Sequence, residues 1–120
     1  MAKALSDAVL DAACTKIATA TRQSVCSGEP ANFAGIAAVL LASVVTDAGD
    51  FTTANGDTSG RKVTVAQQAD VSITASGTAT HVAYDDGSAL LAVTTCTSQA
   101  LTSGGTVTVP AHKFEFADPT

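Results

Sequence analysis

Apolar residues follow two different periods along the 120-residue chain, and the change of period divides it. Over 2–20, Leu5, Val9, Ala12, Ala13 and Ile17 fall on one stripe at about 100° per residue, which predicts an amphipathic helix. Cys14 falls at the polar margin of that stripe, beside Lys3 and Asp7. So apolar a stripe must be covered, by the rest of the chain or by a neighbouring subunit. "QSVCS" (23–27) reads as a short strand and "GEP" (28–30) as a turn, with Pro30 holding Glu29 out of helical conformation. The alanine-rich 31–46 predicts a loop or short helix to about residue 38 and a strand from about 39.

Beyond that segment the period becomes two. Val63 and Val65 share a face, as do Val71 and Ile73, Val107 and Val109, and Phe114 and Phe116, with Gly- and Asp-rich turns between the runs. Pro110 restricts its segment to an edge or a strand end. In "ATHVAYDDGSALLAV" (79–93), a two-residue Asp86-Gly87 turn would set a hairpin register. Asp85 would then face Ser88, Tyr84 Ala89, Ala83 Leu90, Val82 Leu91, His81 Ala92 and Thr80 Val93. That pairing makes Val82, Tyr84, Ala89, Leu91 and Val93 the core face. It sends His81 to the other face, about 13 Å along the strand from Asp85.

Strands recurring about every ten residues predict a mainly β chain, an Ig-like or related antiparallel β-sandwich preceded by one N-terminal helix. The predicted organisation is a helix over 1–22 and a sandwich over 23–120, forming one structural unit. We find no internal repeat and no linker, and the length suits a single core.

Composition narrows the function classes. Eleven acidic against six basic residues give a net charge of −5, and the basic residues are scattered, which argues against nucleic-acid binding by phosphate neutralisation. The longest apolar run, "AGIAAVLLASVV" (34–45), falls short of the ~20 residues that span a bilayer, so no membrane partner is expected. Asp7 and Asp11 interrupt what would be the apolar region of an export signal. Charged residues are 14% and aromatics 4%, so the surface is weakly charged and rich in small side chains, suited to close packing against other subunits.

Chemistry has few places to reside. Two histidines and no G-x-S-x-G elbow leave little for a triad, and no catalytic residue is assigned. A contact between Cys96 and His81 across a sheet is conceivable from sequence, whereas His112 reads as an exposed strand residue. "DFTTANGDTSG" offers oxygens at Asp50, Asn55, Asp57 and Ser59, but lacks the calcium-loop spacing, and its Asn-Gly and Ser-Gly steps read as turns. For the basic step Arg61-Lys62, a salt bridge or a subunit contact to an aspartate suffices. No metal or cofactor is expected. The three cysteines, Cys14, Cys26 and Cys96, lack zinc-site spacing; they are either buried thiols or an odd set open to intrachain or interchain disulfides, with Cys14 the predicted interchain partner.

"GDFTTANGDTSGRKVTVA", "ASGTATHVAYDDGSALLAVTTCTSQALTSGGTVTVPA" and "FEFADPT" together resemble the small Thr- and Ala-rich structural proteins of tailed-bacteriophage virions, over most of the chain from about residue 48. The resemblance implies a β-sandwich present in many copies on the head, neck, tail or fibre, and transfers no functional residue by position. The reading it supports is a non-enzymatic virion protein, a capsid decoration or cementing subunit. Its expected partners are itself, as a homo-oligomer, a trimer where the capsid offers local threefold sites, and other virion proteins such as the major capsid protein. Leu5, Val9, Ala13 and Ile17 are the expected interface. Neck, tail or fibre association is the alternative, and a glycan- or calcium-binding module a more distant one.

Overall fold

The structure, a computed structural model, describes residues 6–118. The N-terminal helix α1 spans Asp7–Ala18. Ser6 begins it as an N-cap, its hydroxyl accepting from the Val9 amide, and Asp7 adds a carboxylate in the first turn where the helix dipole favours it. Among the described residues nine strands follow: β1 (Arg22–Cys26), β2 (Leu40–Val45), β3 (Phe51–Asn55), β4 (Arg61–Val65), β5 (Gln68–Ser72), β6 (Gly77–Asp85), β7 (Leu90–Leu101), β8 (Thr106–Val109) and β9 (His112–Phe116). A short helix α2 (Ile36–Val39) precedes β2, as the alanine-rich pattern predicts.

The strands form three antiparallel sheets. The largest has the order β2-β1-β6-β7, the second β3-β4-β9, and β5 pairs with β8 in a two-stranded ribbon. The chain is thus mainly β, a sandwich-like arrangement behind one N-terminal helix. Its main core joins all these layers: Val25, Val82 and Tyr84 come from the large sheet, Val63 and Val65 from the second sheet, Val71 and Val109 from the ribbon. Apart from Val25, whose strand β1 is buried on both faces, each of these side chains occupies the inward parity that its alternating sequence predicts. A smaller cluster, built on Cys26, Ile36 and Ala83 with Phe33 and Val39 against them, covers the other face of the large sheet. That sheet is therefore apolar on both faces around β1 and β6.

Two-sided burial is why the hairpin register differs from expectation. The loop is four residues long, Asp86–Ala89, and Asp85 pairs with Leu90, Tyr84 with Ala92, Ala83 with Val93, Val82 with Thr94 and His81 with Thr95. A bulge at Leu91 shifts the parity of β7, so Val93 lies with Ala83 against the outer cluster instead of with Tyr84. In a one-sided sheet such a slip would expose the apolar set. Here the second cluster receives it. The Asp86 carboxylate accepts from the Ser88 and Ala89 amides at 2.9 and 2.8 Å, closing the loop, and Gly87 takes a left-handed φ of 91°.

The helix is rotated from its expected face. Leu10, Cys14 and Ile17 are buried, Ala13 is half-buried, and Val9 is 57% exposed. Leu5 lies outside the described residues. At about 100° per residue, Lys16 sits only about 20° from Val9, so burying the expected stripe would have buried its ammonium. Instead, α1 packs on β3 and β4 and touches β7. Asp11 reaches Arg61 of β4 at 2.6 Å, and that ion pair holds the rotated face down. Cys14, expected at the polar margin, is buried in the main core, and a thiol there has no route to another chain.

Leu10→Ala should lower the unfolding free energy by about 2–4 kcal/mol, as large-to-small core changes do, whereas Val9→Ser should change it by less than about 0.5 kcal/mol. Urea unfolding of the two variants distinguishes the observed helix face from the expected one.

Candidate functional site

The large sheet and the second sheet are joined by the only tyrosine in the chain. Tyr84, near the end of β6, is fully buried and sits edge-to-face against Phe51 of β3 and Phe114 of β9, with ring centroids 6.1 and 5.7 Å away. Its hydroxyl accepts from the Gln23 side-chain amide at 2.7 Å and also meets Nε2 of His112. His112 Nδ1 lies 3.0 Å from the Pro110 carbonyl, which can only accept. The proton of the neutral ring therefore belongs on Nδ1, Nε2 accepts from Tyr84, and Gln23, Tyr84 and His112 form one directed chain between the sheets. Burial pushes the Tyr84 phenol well above its ordinary value, and the Gln23 hydrogen bond only partly opposes that.

Beside Tyr84 the Arg22 guanidinium reaches Asp85, its cross-strand partner, at 2.8 Å and lies over the Phe33 ring, 5.9 Å from the centroid. The two aspartates of the hairpin are thus spoken for: Asp85 by Arg22 and the Gly87 amide, Asp86 by its loop. His81 is opposite Thr95 and bonds the Thr80 hydroxyl, and it lies on β6 four residues before Asp85, whose partners are Arg22 and the Gly87 amide.

The oxygen-rich loop is likewise committed to structure. Asp57 bridges Lys62 and Lys113, and its amide donates to Glu115. Asn55 takes Arg61, Ser59 takes the Asp118 amide, and Asp50 closes a capping box with Asp47. Among the described residues no group of three or more His, Cys, Asp or Glu side chains is placed to hold a metal ion. Gly60 (φ 69°) lets this loop pass the Phe116 carbonyl, since a Cβ there would approach its oxygen to 1.9 Å.

A long open seam is what remains. β7 is the last strand of the large sheet, and β9 is the last strand of the second. Between β7 and the β8–Pro110–β9 corner lie three adjoining cavities. One of about 370 Å³ is walled by Ala13, Ile17, Leu91, Phe114 and Phe116. The next, about 270 Å³, runs from Thr94 to His112, and the third, about 210 Å³, from Val107 to Gln99; both are lined by Cys96, Val109 and Pro110. Ala13 and Ile17, expected at an interface, do border this seam, while Val9 does not. The seam escaped the sequence reading because no motif encodes it: it arises where two sheet edges fail to meet.

The three thiols are free and fall in different places. Cys14 belongs to the main core, Cys26 to the outer cluster, and Cys96 is half-buried in the seam. Burial raises all three, Cys26 to about 11, so at neutral pH they are thiols and weak nucleophiles. Comparison with known proteins returns no match to a family model, a curated protein or a solved structure.

Two outcomes test the central chain. Tyr84→Phe removes one hydroxyl and leaves Gln23 and His112 without their partner, which should destabilise the fold by about 1–3 kcal/mol in thermal or urea unfolding. Because the phenol is raised in the folded state and ordinary (about 10) in the unfolded one, its contribution is complete below about pH 10 and declines above it. Absorbance at 295 nm should show no phenolate until the protein unfolds.

Proposed function

We propose that this chain is a non-enzymatic bacteriophage virion structural protein, most simply a decoration or cementing subunit that self-associates on an assembled capsid. The observation that carries the reading is the open seam, with a long uncharged sheet edge on one side and apolar cavities beneath it. Native sheets usually blunt such an edge with charge, proline or a covering segment. An assembly protein uses it, because main-chain hydrogen bonds and shallow apolar pockets accept another chain with little side-chain specificity. The resemblance of residues 48 onward to Thr- and Ala-rich virion proteins supplies the kind of particle. The weakly charged, small-residue surface supports the same reading: each contact is modest, at about 25 cal/mol per Å² of apolar area, and many copies sum them.

Placing the protein on the neck, tail or fibre would use the same surface. Co-sedimentation with capsids of the encoding phage or prophage tests the head assignment: saturable recovery in the pellet is expected. Protein that remains in the supernatant at every concentration overturns the decoration role. A melting-temperature rise with calcium or a glycan in the absence of particles would favour a binding module instead, through stabilisation of the native state.

A further inference from the structure

We propose that β7 pairs antiparallel with β7 of a second copy, about a two-fold axis passing through Cys96. The first ground is a symmetry in the sequence of this strand. Reading outward from Cys96, Thr95 matches Thr97, Thr94 matches Ser98, Ala92 matches Ala100 and Leu91 matches Leu101; within 91–101 only Val93 and Gln99 differ in kind, and Leu90 mirrors Thr102 just past the strand end. An antiparallel two-fold pair places each residue opposite its mirror position, so Leu91 would face Leu101 of the second copy, and Thr95 would face its Thr97. Like opposite like is the self-complementary condition of an isologous interface.

The second ground is that β7 is the sheet edge the fold leaves accessible. It is the longest strand, twelve residues without a charge or a proline, and Thr95 and residues 97–100 are exposed. The opposite edge of the same sheet is covered: Thr74 and Ala75 both donate to the Leu41 carbonyl of β2, and Ile73 bridges Ala42. β9, across the seam, carries Lys113 and Glu115. A chain of net charge −5 repels its own copy across most of its surface. Along β7 it meets that copy through neutral groups, and the charges near its start are paired within the chain, Lys16 with Asp86 and Asp85 with Arg22.

The third ground is geometric. β7 shifts register against β6 around Cys96–Ser98, which increases local twist. Two strands related by an axis through Cys96 carry that twist at the same place. Directly opposed residues of an antiparallel pair have Cα atoms about 4.5–5.5 Å apart, inside the range a disulfide spans. Cys96 and Cys96 of the second copy would share one face, in the continued seam. This thiol, not Cys14, is therefore the one placed for an interchain bond. Its formation needs an oxidant, here a small disulfide: one Cys96 thiolate attacks oxidised glutathione and releases one glutathione. The second Cys96 then displaces the other, so two thiols and one small disulfide become one protein disulfide and two glutathiones.

This inference rests on the self-association reading above, and the test separates the two. The full chain is treated with oxidised glutathione at mildly alkaline pH and run on a non-reducing gel, and its mass under reductant is measured by sedimentation. A covalent dimer is expected, lost in Cys96→Ser. Two charge variants at exposed positions test register: T95K/T97K sets like charges opposite each other, and T95E/T97K sets opposite charges. Cross-linking should fall at least tenfold in the first and persist in the second, with circular dichroism confirming that both fold. Equal cross-linking in the two variants overturns the pairing. A reduced dimer that survives T95K/T97K also overturns it, and leaves self-association standing on another surface. A monomer throughout, without cross-linking, overturns both.

Discussion

Tyr84 is the residue through which the two larger sheets hold each other. The chain has one tyrosine, four phenylalanines and no tryptophan, so little aromatic area is available to fill a core between sheets. Phe51 and Phe114 meet the Tyr84 ring from the second sheet, and the hydroxyl collects a donor from β1 and an acceptor from β9. A single side chain thereby supplies both the apolar contact and the directional bond between layers. Most of the remaining main core is small, valine and alanine above all, which pack closely but contribute little individually.

The same economy leaves the molecule open. Short second and third sheets cannot cover a twelve-residue strand, and the large sheet is completed by the helix at one end and the β8–Pro110–β9 corner at the other. Pro110 has no N–H, so the ribbon and the second sheet cannot run together as one continuous strand through it. A seam along β7 follows. Four of the basic side chains are held in ion pairs within the chain, Arg22 on Asp85, Arg61 on Asp11, and Lys62 and Lys113 on Asp57. The fold's unused capacity for interaction is concentrated in backbone edges and apolar hollows, not in charge.

How far the sequence could be read depended on whether a signal was local. Alternation at Val63/Val65 and Val71/Ile73 gave the inward faces correctly, because one face of each strand meets the core. The helix stripe failed through Lys16 and Asp11: two adjacent apolar azimuths were available, and an ion pair with a residue fifty positions away selected between them. The hairpin failed for a related reason. Its turn residues were recognised, but its register was set by a second apolar layer, from Phe33 and Ile36, that no feature of the hairpin announces. His112, which looked exposed, is half-buried by its bond to a tyrosine twenty-eight residues away.

Periodicity, turn chemistry and composition by themselves determined the fold class of the protein: a helix followed by antiparallel strands, in a weakly charged chain. Those properties depend on residues close in the chain. The tertiary structure decided which face the helix buries, which thiol lies near the surface, and that one long strand ends the sheet with its edge open. Each of these is a choice between locally equivalent arrangements, and only contacts between distant segments carry the free-energy difference that makes it.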